Sequence, residues 1–153
     1  MKKSSYFLVA LAIAAPFSLA PARMNPAVDS RHTLEANLPV PKDIAAMLRR
    51  ACFNCHSSET RWPWYSRLPV AGVRIKEDVE NARDAMNLSN WPTRPARAAT
   101  FLEASCAALQ AEEMPKAPYT LFHPEARLSE EEKNRFCQWA HREARELISD
   151  THK

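Results

Sequence analysis

The chain has 153 residues, with 21 Lys and Arg against 18 Asp and Glu and a formal net charge of +3. A balance so close to neutral builds no long-range field, which excludes nucleic acid or an anionic membrane as a partner held by overall charge. Gly72 is its single glycine, so the tight turns of β-hairpins are scarcely available and an all-α fold is expected.

The N-terminus reads Met1-Lys2-Lys3, then an apolar run from Tyr6 to Phe17, then the small residues Ala20-Pro21-Ala22. This is the charged start, short apolar stretch and small-residue ending of a signal peptide, residues 1–22, with the cut expected after Ala22. An uncleaved inner-membrane anchor is the competing reading, although the run falls short of the ~20 residues a spanning helix needs. Either way the remainder is exported, and periplasmic. Cleavage removes Lys2 and Lys3 and leaves 131 residues with 19 basic and 18 acidic side chains, enough for one compact domain.

Residues 23–40, with Pro26 and Pro39, read as an irregular N-terminal linker before a domain over 41–150. From Lys42 the apolar residues Ile44, Met47, Leu48 and Ala51 recur at helical spacing, with Pro41 suited to the first turn. A second helix is expected from about Ala71 to Met86, on a stripe of Ile75, Val79, Ala82 and Met86. A third starts near Thr93 and Pro95 and runs to about Glu112. Residues 113–128 hold Pro115, Pro118 and Pro124 and are expected to be an extended loop. Ser129-Glu130-Glu131-Glu132 is a capping box that opens a last helix, with Phe136, Trp139, Ala140, Leu147 and Ile148 on its buried stripe.

Between the first two helices lies Cys52-Phe53-Asn54-Cys55-His56. This C-x-x-C-H spacing is the attachment signature of c-type haem. Cys52 and Cys55 are i and i+3 on a helix, so both thiols face one side, where porphyrin vinyl groups can meet them. His56 follows as the proximal iron ligand. A thioredoxin-type C-x-x-C would need a βαβ setting, which is missing. A zinc site from Cys52, Cys55, Cys106 and Cys137 lacks a second closely spaced ligand pair.

A sixth iron ligand is read at Met114, on the proline-rich stretch, with His123 as its rival and a surface methionine as the bland reading. Met86 and Met47 read as core, and His32, His141 and His152 as solvated. Arg61, Trp62, Trp64 and Tyr65 either pack between helices or supply hydrogen bonds and charge to haem propionates. Cys106 and Cys137 either form a disulfide between the third and last helices or remain buried thiols. A redox-active role for them would need a lowered thiol pKa.

The motif Cys52 to His56 followed by Glu59-Thr60-Arg61-Trp62-Pro63-Trp64-Tyr65, with Met114-Pro115, Tyr119-Thr120-Leu121-Phe122-His123-Pro124 and a Ser129-led final helix, resembles the haem-binding domain family of exported bacterial proteins. That family is similar to single-haem class I cytochromes c. The resemblance spans roughly residues 40–148 and implies His56 and Met114 as axial ligands of one covalently attached haem c. The Cys106 and Cys137 pair is not part of the pattern that carries it. The expected activity is single-electron transfer with periplasmic redox partner proteins rather than enzymatic catalysis. A haem sensor or small-ligand binder with a displaceable sixth ligand, and a peroxidase-like haem enzyme, are the alternatives.

Overall fold

A computed structural model describes residues 23–150 of the chain. The expected signal peptide and His152 lie outside the described residues. Among the described residues there are seven α-helices and no strand. They are α1 (Leu34–Asn37), α2 (Lys42–Ala51), α3 (Phe53–His56), α4 (Pro69–Ala85), α5 (Pro95–Gln110), α6 (Ala117–Phe122) and α7 (Glu130–Asp150). None of these is long and apolar enough to cross a membrane.

The core is centred on α5 and α7, which make the most extensive helix pairing. Leu102, Cys106 and Leu109 meet Phe136, Trp139 and Ala140, all buried. Each such leucine or phenylalanine contributes about 1.5–3 kcal/mol by leaving water. Ile44, Met47 and Leu48 add the buried face of α2 to the same cluster. Ser129 starts α7 as its sequence requires: its hydroxyl accepts from Glu132 N–H at 3.2 Å, and Glu132 reaches back to the Ser129 N–H at 2.9 Å. Ile148 departs from the expected stripe and is 40% exposed. Cys106 and Cys137 are joined as a disulfide, which closes a separation of 31 residues between α5 and α7.

Two stretches correct the sequence reading. Residues 23–40 are not a linker: Thr33 caps α1 through the Ala36 N–H at 3.2 Å, and Leu34 and Leu38 enter the core. Backbone bonds from Leu34 N–H to Leu88 and from Trp91 N–H to His32 bind this stretch to the chain after α4. Residues 113–128 are not simply extended either. They contain α6 and a 3₁₀ turn, Pro124–Ala126, because Pro118 falls in the first turn of α6, where no N–H is needed.

Candidate functional site

The C-x-x-C-H motif sits at a break between two helices. Cys52 ends α2, its N–H donating to Leu48 C=O at 2.8 Å, and its φ of −119° turns the chain before α3 begins. The Cys52 carbonyl then accepts from both Cys55 N–H (3.1 Å) and His56 N–H (2.9 Å), which gathers the three motif residues into one turn. Ser57 closes it: its hydroxyl donates to Phe53 C=O at 2.7 Å and accepts from Glu59 N–H at 2.9 Å. Cys52 and Cys55 are free thiols. Burial pushes the Cys52 thiol up to about 12 and raises Cys55 as well, so both are protonated at neutral pH.

His56 is clamped by the segment that follows α4. Its Nδ1 lies 3.1 Å from the Met86 carbonyl, and its own C=O accepts from Leu88 N–H at 2.7 Å. A carbonyl only accepts, so Nδ1 carries the proton and Nε2 keeps its lone pair. Burial lowers the pKa of His56 against the opposing pull of backbone hydrogen bonds to Met86 and Ala82, so the ring is neutral. Arg83 fixes the turn beyond it, with Nε donating to Ser57 C=O at 2.7 Å and Nη2 to Thr60 Oγ1 at 2.8 Å.

The chain around Met114 is tied to α5 and α4, and five residues further on Tyr119 is tied to the motif. Glu112 ends α5 with φ of 56°, in the left-handed region, and the N–H groups of Glu113 and Met114 both donate to Ala108 C=O. Lys116 Nζ pairs with Asp78 of α4 at 2.8 Å, and the charges of both act on Cys55. Asn54, inside the motif, donates to Tyr119 Oη at 2.7 Å. Tyr119 stacks on His123 with ring centroids 4.4 Å apart. Met114 itself is half-buried.

The other expected site residues separate. His123 has both ring nitrogens engaged, Nε2 with Tyr65 Oη at 2.8 Å and Nδ1 with Glu125 at 3.1 Å. Tyr65 is therefore spent on His123, with burial raising its pKa and keeping the phenol protonated. Trp64 is 75% exposed and packs edge-on against Tyr65. The Arg61 side chain is exposed, while its backbone N–H donates to Asn54 at 3.1 Å. Trp62 holds a buried Nε1–H with no partner. Sequence reasoning missed Asn54, Tyr119, Arg83 and the Met86 carbonyl. The first two lie inside motifs already quoted, and the last is a backbone atom that no residue pattern reveals.

A family model described as a haem-binding domain matches residues 10–142. The chain belongs to the haem-binding domain family. No curated protein and no solved structure matches it. The residues of this haem-binding domain fit the group its family implies: a neutral histidine with one free ring nitrogen, two unpaired thiols in the same turn, and an orphaned indole N–H nearby in sequence. They do not fit a four-cysteine zinc centre, because the disulfide occupies Cys106 and Cys137. Among the described residues no three or more His, Cys, Asp or Glu side chains are gathered as metal ligands.

Proposed function

We propose that this haem-binding domain is an exported carrier of single electrons, with one haem c bonded through Cys52 and Cys55 and held by His56 and Met114. The observation that carries the reading is the bond from His56 Nδ1 to the Met86 carbonyl at 3.1 Å. It fixes the tautomer, orients the ring and leaves Nε2 free beside two unbridged thiols, as a backbone-anchored metal-ligating histidine requires. When bound, the haem supplies reversible one-electron chemistry at its iron.

The chain's own residues divide the remaining work. Met86 and Leu88 hold His56 in place. Asn54, Tyr119, Tyr65 and His123 latch the Met114 stretch against the motif. Met114 is favoured over His123 as second ligand, because ligation by His123 Nε2 would require breaking its bond to Tyr65. Trp62 Nε1–H is the donor for a propionate, since Tyr65 is already used and Trp64 stands in solvent. A peroxidase-like enzyme would need a free distal acid or base, and His123 is committed at both nitrogens. Export rests on the N-terminal pattern of the sequence.

The test is a pair of ferric and ferrous absorption spectra on protein matured with its covalent attachment machinery. The expected wild-type spectrum is low-spin, with Met114→Ala converting the ferric form to high spin and His123→Ala leaving it low-spin. The reverse pattern would make His123 the ligand. Ready binding of carbon monoxide by the reduced wild type would favour the sensor reading over the carrier.

A further inference from the structure

The disulfide between α5 and α7 has neighbours that a simple brace does not need. His141 Nε2 lies 3.5 Å from Cys106 Sγ, and His141 Nδ1 lies 2.7 Å from Glu103 Oε2. Carboxylate, imidazole and sulfur thus stand in line across the two helices. His141 is read from the sequence as solvated; its side chain is indeed partly exposed, and it makes these two contacts as well. We propose that Cys106 and Cys137 form a reversible dithiol/disulfide site, with Cys106 as the leaving sulfur and His141, oriented by Glu103, as its proton donor.

The geometry divides the roles. Both sulfurs are shielded, at 1% and 4% exposure for their residues, whereas the His141 and Glu103 side chains are 41% and 48% exposed. The imidazole is therefore the link between a buried sulfur and bulk protons. In the protonated ring both N–H groups have acceptors, Glu103 on one side and Cys106 Sγ on the other. The co-reactant is a dithiol. One of its thiolates attacks Cys137 Sγ, the S–S bond breaks, and Cys106 departs with the electron pair, taking or pairing with the His141 Nε2 proton. The second thiol of the reductant then closes on the mixed disulfide and releases Cys137. The dithiol loses two electrons and becomes a disulfide, and the protein gains two thiols. A protonated histidine beside the departing sulfur stabilises its thiolate, which makes that sulfur the better leaving group. This inference does not depend on haem ligation, since none of its four residues belongs to the haem motif.

The experiment treats the mature holoprotein with dithiothreitol under native conditions, alkylates free thiols at intervals, and reads Cys106 and Cys137 by peptide mass spectrometry. The wild type is expected to open while its helical circular dichroism holds, with Cys106 alkylated faster than Cys137. His141→Ala should slow opening by roughly a hundredfold, at the low end of what a positioned acid supplies, and should erase the preference for Cys106. Glu103→Gln keeps an acceptor for the ring but removes the charge, so an intermediate rate is expected. If His141→Ala misfolds, Glu103→Gln at an exposed position carries the test. Opening only when the helices melt, or wild-type rates in the folded variants, would overturn the proposal.

Discussion

The α5–α7 pair and the turn around His56 are held together by different physics. Between α5 and α7 the contacts are apolar, buried and closed by a covalent S–S bond. Around His56 the ties are hydrogen bonds between side chains and backbone, donated by Arg83 and Ser57 and accepted by Asn54, with two cysteines left as free thiols. Apolar packing is tolerant of direction, whereas hydrogen bonds fix it to within a narrow cone. The first region therefore supplies stability, and the second supplies the orientation that the proposed ligation by His56 needs.

That contrast can be broken most sharply at the motif cysteines. Cys52→Ser combined with Cys55→Ser should abolish covalent haem retention while leaving the α5–α7 helices folded, read by absorption after denaturation and by circular dichroism. The converse change, Cys106→Ala with Cys137→Ala, should leave the proposed thioethers intact. Opening a 31-residue closure should cost about 3–4 kcal/mol in urea unfolding, from the regained freedom of the unfolded chain. Tyr65→Phe removes the bond to His123 and should cost about 1 kcal/mol. It should also loosen the Met114 stretch, seen as faster amide exchange over residues 113–126.

The smallest effect concerns pH and joins the two regions. Arg50 of α2 donates to Glu132 of α7 at 2.6 Å, and with the Ser129 N–H it holds the Glu132 carboxyl below its ordinary 4.5. A folded-state pKa below the unfolded one means stabilisation that is complete above the ordinary value and is lost as pH falls through the folded one. Acid titration of the unfolding free energy should show this limb, and Glu132→Gln should flatten it.

Much of this was legible in the sequence. The capping box at Ser129, the α2 and α5 periodicities and the C-x-x-C-H turn all declare themselves locally. What escaped depends on tertiary partners. Leu34 and Leu38 make too short an apolar pattern to distinguish a docked turn from a linker, and only the partners around Leu88 and Trp91 decide it. Pro118 counts with Pro115 and Pro124 toward an extended loop, although proline is well suited to the first turn of a helix. His123 looked like an available ligand because Tyr65, far from it in sequence, is the residue that occupies its Nε2. The disulfide was one of two open readings, since spacing alone does not bring two cysteines within bonding distance.

The most direct test of the central claim is extraction of the purified, matured protein with acidified organic solvent, followed by intact-mass measurement of the denatured chain. A haem c joined through Cys52 and Cys55 stays with the polypeptide and raises its mass by one haem. Pigment that partitions into the solvent, leaving a chain of unmodified mass, would contradict the account.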